Sequence, residues 1–298
     1  MSQSTFGKKF TVTTWGESHG KALGAVVDGV PAGLFLTEAD IQAYLNRRKP
    51  GQSRYTTARN EGDEVEILSG VFEGQTTGTP ISMIVRNKDQ RSRDYGNIAQ
   101  TYRPGHADFG FDSKYGCRDY RGGGRSSGRE TIGRVAAGAI AARILKELGI
   151  TLQAYTSSIG PISCHSYRPE IIPENSFYMP DMVAAEKATK YLEKCMKEED
   201  SAGGVVECRI SGVPAGIGDP VFGKLDAAFA QALMSIGAVK AVEIGDGVKV
   251  STMKGSENND GFHMENGRIA KTTNHSGGIL GGISDRGEIL LRAHIKPT

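Results

Sequence analysis

The pentapeptide Gly-Val-Pro-Ala-Gly occurs twice in the chain, at residues 29–33 and again at residues 212–216. Each copy precedes a segment with the residue spacing of an amphipathic helix, and each helix precedes a strand that contains Val-Glu-Ile. A glycine-rich turn and another apolar strand follow in both places. The sequence therefore predicts a duplicated unit of strand, turn, helix, strand, turn and strand, whose copies are related by a pseudo-twofold axis.

This duplication predicts the domain organisation. We expect a single domain over residues 1–298, with pseudo-repeats at about residues 10–90 and 205–298 and a central helical segment between them. Amphipathic helices and half-apolar strands must each bury one face. We therefore expect an α+β fold in which helices are sandwiched between two antiparallel sheets.

Start signals mark a helix in both copies. Thr37 precedes the first helix, and Asp219 followed by Pro220 predicts the N-cap and first residue of the second. Spacings of three and four residues define the apolar faces. These faces hold Ile41, Tyr44 and Leu45 in the first helix and Phe222, Leu225, Phe229 and Leu233 in the second. Between the copies, further helices are predicted at residues 131–149, with an apolar stripe from Ile132 to Leu148, and at residues 181–199.

Charge and cysteine content narrow the class of protein. Thirty-six basic and 34 acidic residues leave a net charge of +2, which predicts neither a nucleic-acid nor a membrane partner. No apolar run approaches the roughly 18 residues of a membrane span, so we expect a soluble protein. The four cysteines form no Cys-x-x-Cys pair, which favours free thiols and a cytoplasmic location.

The segment RGGGRSSGRETIGR, residues 121–134, has the composition of an anion-binding loop. Ser127 stands three residues before Glu130, a spacing that predicts a capping box and a helix start at Ser127. The glycines and Ser126 would then present backbone N–H groups at the positive end of the helix, beside Arg125 and Arg129. A phosphate or carboxylate site is one interpretation, and a flexible turn before an ordinary capped helix is the other.

A second cluster of cations lies at residues 46–59. Its first three cations end a helix, where they interact favourably with the helix dipole whether or not they bind a ligand. Arg54 and Arg59 lie beyond Pro50 and Gly51, in a polar loop where guanidinium groups are suited to grip planar anions. RNA binding competes with this interpretation, but Tyr55 is the segment's lone aromatic residue.

The six histidines show no metal-binding motif and no Cys/His spacing typical of zinc. His19 and His106 lie in glycine-bounded turns, in WGESHGKALG and YRPGHAD. Imidazole suits proton transfer near neutral pH, so both are candidate acid–base residues. A surface or structural role is the alternative for each.

Eight segments of this chain, spread in order from residue 16 to residue 284, closely resemble the chorismate synthase family. They are GESHG, RRKPGQSRYTTAR, LSGVFEGQTTGTPI, DQRSRDY, RPGHAD, KYGCRDYRGGGRSSGRET, MSIGAVKAVEIGDG and NHSGGILGGIS. The resemblance implies a lyase that removes phosphate and a ring proton from 5-enolpyruvylshikimate 3-phosphate by anti 1,4-elimination, giving chorismate. It also implies that reduced FMN is required without net redox change, with NADPH as a candidate reductant, and that the family's sandwich fold assembles as a homotetramer.

The resemblance further implies roles for individual residues. His106 would protonate the leaving phosphate, and His19 would stabilise and protonate the reduced flavin. The implied substrate-binding residues are Arg48, Arg54, Arg103 and Arg129, of which Arg48 and Arg54 would also contact NADPH. The implied flavin contacts are Arg125, Ser126, Ser127, Gly237, Ala238, Gly281, Lys296, Pro297 and Thr298.

The sequence departs from the family pattern in two places. Gly128 stands where alanine is commoner. Family members also continue past the position of Thr298 through a segment that supplies a catalytic aspartate, so we expect this chain to fold but to have weak or no activity. A flavin- or NADPH-dependent oxidoreductase and a non-catalytic phosphoanion-binding protein are the alternative functions.

Overall fold

The computed structural model describes residues 3–55, 61–88 and 100–298, and the chain divides into two compact units, residues 1–144 and 145–298. In each unit a five-stranded antiparallel sheet packs its apolar face against helices. This mixture of helices and antiparallel sheets confirms the predicted α+β class. Within the described residues, no helix has both the length and the apolar character needed to cross a membrane.

The elements of unit 1 follow the predicted order. Its strands are β1 (Thr5–Gly7), β2 (Thr11–Gly16), β3 (Ala22–Asp28), β4 (Val65–Ile67), β5 (Val71–Phe72), β6 (Gln75–Thr76) and β7 (Ile81–Arg86). Its helices are α1 (Glu38–Arg48), α2 (Asp108–Tyr115) and α3 (Thr131–Glu147), the last of which continues into unit 2. The sheet order is β1-β2-β3-β7-β4, and β5 and β6 form a separate hairpin.

Alternate side chains of β3 and β7 form the apolar face of the first sheet, because successive strand residues point to opposite faces. The buried ones are Leu23, Ala25 and Val27 of β3 and Ile81, Met83 and Val85 of β7. Helix α1 packs in this core through Ile41 and Leu45, and α3 through Ile132, Ala136 and Ile140. The start of α3 is therefore fixed against the sheet.

Unit 2 repeats this plan with additional hairpins. Its strands are β8 (Thr151–Ile159), β9 (Ile162–Ser163), β10 (Gly204–Ser211), β11 (Val239–Ile244), β12 (Phe262–Glu265), β13 (Arg268–Lys271), β14 (Ile279–Leu280), β15 (Ile283–Ser284) and β16 (Ile289–Ile295). Its helices are α4 (Met182–Lys197), α5 (Leu225–Met234) and α6 (Gly255–Asn258). The five-stranded sheet has the order β11-β16-β10-β8-β9.

Two apolar clusters lie in unit 2. Ile210, Ile289 and Leu291 of the second sheet pack with Leu225 and Phe229 of α5. A separate cluster forms where the alanines of α4 meet the end of β8 and β9. The strands β10 and β16 lie inside the second sheet, next to each other, and they correspond to the adjacent inner strands β3 and β7 of unit 1.

The two sheets share the arrangement of three strands. Read from its other end, the second sheet has the order β9-β8-β10-β16-β11, so β10, β16 and β11 hold the positions of β3, β7 and β4. The two remaining strands of each sheet follow in opposite chain order, because the edge strand β1 precedes β2 whereas the edge strand β9 follows β8. In both units the Gly-Val-Pro-Ala-Gly segment follows the central strand, β3 or β10. This correspondence supports the interpretation that the chain carries two copies of one unit. The residue bounds of the copies and their grouping into one domain stay predictions.

A buried hydroxyl joins each copy of the pentapeptide to the hairpin that follows it. In unit 1, Thr76 Oγ1 donates to Pro31 O at 2.6 Å and accepts from the Leu34 N–H at 2.9 Å. The equivalent bonds of unit 2 join Ser284 Oγ to Pro214 O at 2.6 Å and the Ile217 N–H to Ser284 Oγ at 2.9 Å. Both residues are 3% exposed, and each hydroxyl links the backbone of the pentapeptide segment to the hairpin by two hydrogen bonds.

The start of α5 differs from the prediction. The N-cap predicted at Asp219 and the helical Pro220 are wrong, because α5 begins at Leu225 after Lys224. The Asp219 N–H instead donates to Gly223 O at 2.9 Å, which closes a tight turn. Phe222, which the spacing places on the apolar face, lies in this turn and is 96% exposed. Asp-Pro is also a common turn signal, and here the turn is formed.

The apolar stripes of α1 and α3 are shorter than predicted. Tyr44 is 43% exposed, whereas its neighbours in the stripe, Ile41 and Leu45, are fully buried. Leu148 is also exposed, because α3 ends at Glu147. The helix predicted at residues 181–199 is observed as α4, with Asp181 as N-cap accepting from the Ala184 N–H at 3.1 Å.

The paired hydroxyls give a matched stability test. We expect Thr76→Val and Ser284→Ala each to lower the free energy of unfolding by about 1–3 kcal/mol, because each removes two hydrogen bonds that a buried hydroxyl makes to the backbone, at about 0.5–1.5 kcal/mol each. Thr77→Val is the control, since the Thr77 hydroxyl is exposed and bonds only the neighbouring Thr79 among the contacts of the described chain. Denaturant unfolding measures all three, and equal stability of Thr76→Val and Thr77→Val would contradict the expectation.

Candidate active site

The glycine-rich loop predicted to bind an anion leads into α3 through two short turns. Residues 122–124 all have positive φ, at 68°, 86° and 53°. The chain then forms 3-10 turns at Gly124–Ser126 and Gly128–Glu130, and α3 begins at Thr131. Positive φ at successive positions is a conformation that glycine adopts at little cost, which explains the three consecutive glycines.

Ser127 caps the short 3-10 turn Gly128–Glu130, whereas α3 itself begins at Thr131, four residues after the helix start predicted at Ser127. Ser127 Oγ accepts from the Arg129 N–H at 3.3 Å. The predicted reciprocal bond from Glu130 is replaced, because the Glu130 carboxylate accepts from the Thr14 hydroxyl at 3.1 Å and from Arg134 Nε at 2.8 Å. Glu130 therefore ties the start of the helix to β2.

Two imidazoles lie directly against this loop. A Cβ on Gly122 would be 2.3 Å from His19 Cε1, and a Cβ on Gly123 would be 2.8 Å from His106 Cε1 and 2.9 Å from its Nε2. These distances are shorter than any real side chain allows, so both positions require glycine for close approach as well as for φ. The structure thus brings together His19, His106 and the glycine-rich loop.

His19 is buried, with 8% exposure, at the turn between β2 and β3. Its Nδ1 lies 3.1 Å from Ser18 Oγ, and the Ser18 hydroxyl lies 3.4 Å from the Arg121 carbonyl. Asn87 supports the same turn, because its side-chain amide donates to Glu17 O and Gly20 O. The Ser18 hydroxyl therefore contacts the imidazole, and Asn87 anchors the turn that carries it.

His106 belongs to a cluster around the buried carboxylate of Asp108, the first residue of α2. His106 Nδ1 lies 2.8 Å from Asp108 Oδ1. Arg103 donates to the same carboxylate three times, from Nη2 to Oδ1 at 2.8 Å, from Nε to Oδ2 at 2.9 Å and from its backbone N–H to Oδ2 at 3.1 Å. Arg118 Nη1 is 3.4 Å from Oδ2.

The charge on Asp108 is fixed by these contacts. The hydrogen bonds from Arg103 hold the pKa of the Asp108 carboxyl well below its usual range, against the opposing effect of burial. Asp108 is therefore a carboxylate throughout the neutral pH range. The arrangement provides an imidazole with one nitrogen held by an anion and the other directed to the glycine-rich loop.

A second buried carboxylate, Asp63, joins two of the predicted substrate-binding arginines. Asp63 Oδ2 lies 2.9 Å from Arg48 Nη1, and Asp63 Oδ1 lies 3.1 Å from Arg129 Nη1. Arg129 also donates from Nη2 and Nε to Asn87 Oδ1, at 2.8 and 3.2 Å. Arg48 donates to Gly128 O at 3.0 Å, so it bonds directly to the start of the helix. The structure thus brings Arg48 and Arg129 together.

The predicted flavin contacts of unit 1 lie in the loop itself. Arg125 donates to Gly16 O at 3.2 Å, to Thr14 O at 3.1 Å and to Thr14 Oγ1 at 2.8 Å, so it anchors the loop to β2. The Ser126 hydroxyl donates to Gly123 O at 2.8 Å. Ser126 and Ser127 are half-buried.

Arg54 lies apart from these clusters in the contacts that the structure gives it. Its Nη2 donates to the Tyr55 hydroxyl at 2.7 Å, and its guanidinium carbon is 4.9 Å from the centre of that ring. Arg54 is exposed. Arg59 and the DQRSRDY segment lie outside the described residues.

The predicted flavin contacts of unit 2 fall into two groups. Ala238, with φ of 68°, accepts from the Lys296 N–H at 3.0 Å, which places the exposed Gly237–Ala238 turn beside the end of β16. Lys296, Pro297 and Thr298 follow that strand, and Lys296 Nζ donates to Pro297 O at 2.9 Å. Gly281 lies at the β14–β15 turn, beside the other end of α5, since the Leu225 N–H donates to Gly282 O. The ten-residue helix α5 separates the groups by about 15 Å.

Asp63 and Asp108 are the site residues that sequence reasoning missed. Asp108 follows His106 by two residues, a spacing that permits the observed pairing and was available as a signal. Asp63 lies in the acidic stretch Glu-Gly-Asp-Glu before β4, and nothing local distinguishes its carboxylate from its neighbours. Its partners are 15 and 66 positions away along the chain, so only the fold reveals them.

These features define a class of enzyme. Paired arginines held by buried carboxylates, a glycine-rich helix start and an oriented imidazole suit proton transfer on a substrate with several negative charges. The family model for chorismate synthase matches residues 10–298 of the chain. This chain therefore belongs to the chorismate synthase family.

Similar proteins agree with this assignment. The chain is 63% identical to the chorismate synthase of Agathobacter rectalis, 64% to that of Lachnoclostridium phytofermentans and 56% to that of Methanocella arvoryzae. Each alignment covers 100% of this chain and 82%, 82% and 81% of the respective relative. A crystal structure of chorismate synthase is 32% identical, with a TM-score of 0.82, and the match covers 97% of this chain and 85% of that one. The predicted fold and family are confirmed.

The contact between Gly123 and His106 gives a test of the loop. We expect Gly123→Ala to lower the rate of chorismate formation by about a hundredfold or more, because the new methyl group displaces the imidazole. The positive φ adds a stability cost of about 1–2 kcal/mol. Gly128→Ala is the matched control, since a Cβ on Gly128 meets no atom within 4 Å and its φ is not positive. Anaerobic turnover and thermal unfolding measure both variants, and similar turnover in the two would contradict the expectation.

Proposed function

We propose that this chain catalyses the anti 1,4-elimination of phosphate from 5-enolpyruvylshikimate 3-phosphate, which gives chorismate in the shikimate pathway. Membership of the chorismate synthase family supports the reaction. The observation that carries the proposal is the His106 imidazole, held between the Asp108 carboxylate and Gly123. A substrate with two carboxylates and one phosphate matches the arginine clusters beside it.

His106 acts as the general acid in this proposal. Its Nδ1 faces Asp108, so Nε2 is the nitrogen that gives a proton to the leaving phosphate. The proton is needed as the carbon–oxygen bond breaks, because a protonated phosphate is a better leaving group. Arg103, which approaches the same imidazole, is placed to bind the phosphate.

Arg48 and Arg129 bind substrate anions in this proposal. Asp63 holds both guanidinium groups near the start of α3, where backbone dipoles also favour negative charge. Because these arginines are fixed by a buried carboxylate and by Asn87, they lose little conformational freedom when the substrate binds. Arg54 is the exposed member of the set, and Arg48 and Arg54 are also the proposed NADPH contacts.

Reduced FMN is the proposed cofactor, and when bound it supplies electron density to the breaking carbon–oxygen bond and takes up the ring proton. The proposed flavin contacts in the glycine-rich loop are Arg125, Ser126 and Ser127, of which the two serines offer half-buried hydroxyls that suit a flavin's polar edge. The other proposed contacts are Gly237, Ala238, Gly281, Lys296, Pro297 and Thr298, among which the exposed Gly237–Ala238 turn and the lysine offer donors to ring or phosphate oxygens. His19 would hold a proton beside the reduced flavin.

The remaining parts of the proposal concern the cellular setting. NADPH is a candidate reductant, the protein assembles as a homotetramer, and it works in the cytoplasm. The four cysteines are free, and Cys195 is buried, which accords with a reducing compartment. Sedimentation of the purified protein tests the oligomeric state.

The central experiment is anaerobic phosphate release from 5-enolpyruvylshikimate 3-phosphate with photoreduced FMN. We expect chorismate and phosphate to form in equal amounts. We also expect the FMN to be still reduced at the end. Stoichiometric oxidation of the flavin would indicate an oxidoreductase, and substrate binding without phosphate release would indicate a binding protein. Replacing light by NADPH shows whether the protein reduces its own flavin.

Removal of the proposed acid gives a direct test. We expect His106→Ala to lower turnover by about a hundredfold or more, the usual effect of losing a general acid, and to leave flavin affinity nearly unchanged. His263→Ala is the control, because His263 is an exposed residue of β12. Near-normal phosphate release by His106→Ala would remove this role from His106.

Arg54 is tested by a change that keeps its charge. We expect Arg54→Lys to weaken substrate binding by about tenfold or more, because an ammonium group cannot replace a bidentate guanidinium. Arg47→Lys is the control, since Arg47 lies in the last turn of α1, where its charge suffices for interaction with the helix dipole. Calorimetric titration measures the substrate affinity of both variants. Equal affinity of Arg54→Lys and the parent protein would show that Arg54 is a solvated surface residue and does not bind the substrate.

A further inference from the structure

Asp108 contacts His106 from the side opposite to the glycine-rich loop. The Asp108 side chain is 3% exposed, and its Oδ1 is 2.8 Å from His106 Nδ1. The same oxygen accepts from Arg103 Nη2 at 2.8 Å, so the 3.1 Å distance between Arg103 Nη2 and His106 Nδ1 follows from two donors sharing one acceptor. Asp108 is absent from the roles that the family resemblance implies.

The charges decide which ring nitrogen carries the hydrogen in the neutral imidazole. An unprotonated Nδ1 would direct its lone pair at a carboxylate oxygen only 2.8 Å away, which is strongly unfavourable. Nδ1 therefore carries a hydrogen and donates it to Asp108. This leaves Nε2 as the nitrogen that gains and loses the proton, on the edge of the ring that lies against Gly123.

We propose that Asp108 is a positioning residue, which fixes the orientation and the tautomer of His106 so that Nε2 faces the leaving phosphate. This inference rests on the proposed function for the catalytic role of His106. Asp108 does not itself exchange protons, because the arginines around it keep it ionised. Its action on the reaction passes through the imidazole.

The contacts of Asp108 also predict what an amide would do in its place. Oδ2 accepts two hydrogen bonds from Arg103 and lies near Arg118 Nη1, whereas Oδ1 accepts one from Arg103, so an amide oxygen keeps more of these bonds at the Oδ2 position. In Asp108→Asn the amide oxygen would occupy this position, and the NH2 group would face His106 Nδ1. That NH2 group would donate to Nδ1 and stabilise the opposite tautomer, with the hydrogen on Nε2. A neutral ring in that state cannot accept a proton at Nε2.

Kinetics with a double-mutant cycle test the inference. We expect Asp108→Asn to lower turnover by about a hundredfold or more in the parent protein, by analogy with the loss of an orienting aspartate in a catalytic triad. In the His106→Ala background we expect the same change to lower turnover by less than about threefold, because residues that act through one another are not additive. An equal loss in both backgrounds would show that Asp108 acts on Arg103 or on folding, and would overturn the inference.

Asp112→Asn is the matched control. Asp112 lies on the same helix and pairs with the same arginine, Arg118, at 3.0 Å, and it makes no contact with His106 among the described residues. We expect its turnover to stay within about twofold of the parent protein, since it is part of the surrounding ion-pair network only. A loss as large as that of Asp108→Asn would also contradict the inference.

Nitrogen-15 NMR of histidine gives a readout that needs no substrate and no flavin. The His106 signal is identified by its absence from His106→Ala. At a pH where the ring is neutral, we expect the hydrogen on Nδ1 in the parent protein and on Nε2 in Asp108→Asn. A hydrogen on Nε2 in the parent protein would overturn the inference even if the variant failed to fold. Stoichiometric oxidation of the flavin during turnover of the parent protein would instead overturn the proposed function, and this NMR result would still be interpretable.

Discussion

Burial of two carboxylates among arginines is the interaction on which the site of unit 1 depends. A buried carboxylate is stable only when cations and hydrogen-bond donors surround it, so Asp63 and Asp108 each fix the side chains that they contact. Asp63 thereby holds Arg48 and Arg129, and Asp108 holds Arg103 and His106. Long, flexible cations become a preorganised surface for anions, because the cost of ordering them is met when the protein folds.

The fold was predictable to the extent that its signals are local and periodic. The repeated pentapeptide, the shared Val-Glu-Ile strand and the spacing of apolar residues indicated the order of elements that both sheets show. The start of α5 was not predictable, because Asp219-Pro220 fits a helix start and a turn equally well. In the structure the Gly223 carbonyl closes the turn, and the helix that packs Phe229 against the core begins two residues later, at Leu225.

The site was predictable in part, and the division has a physical cause. His19, His106 and the glycine-rich loop stood out because their glycines and hydroxyls have a local conformational meaning. Their convergence in space was not predictable, because it depends on how β2, β3 and α3 pack together around Gly133. A Cβ added to Gly133 would lie only 3.0 Å from Gly24 O. Asp63 and Asp108 are ordinary acidic residues in sequence, and only the partners supplied by the fold distinguish them.

The two copies of the repeat differ where chemistry is added to a shared scaffold. Thr76 and Ser284 make the same pair of hydrogen bonds, so the backbone of the pentapeptide and its hairpin is supported identically in both units. The position two residues before Val-Glu-Ile, however, is the buried Asp63 in the first copy and the exposed Lys240 in the second. The buried hydroxyl recurs in both segments, because without it two hydrogen bonds to the backbone would be lost in each of them. The carboxylate has no such role in the backbone, and it pairs with cations only where Arg48 of α1 and Arg129, just before α3, meet. The difference between the two segments in chemistry therefore arises from a few charged positions.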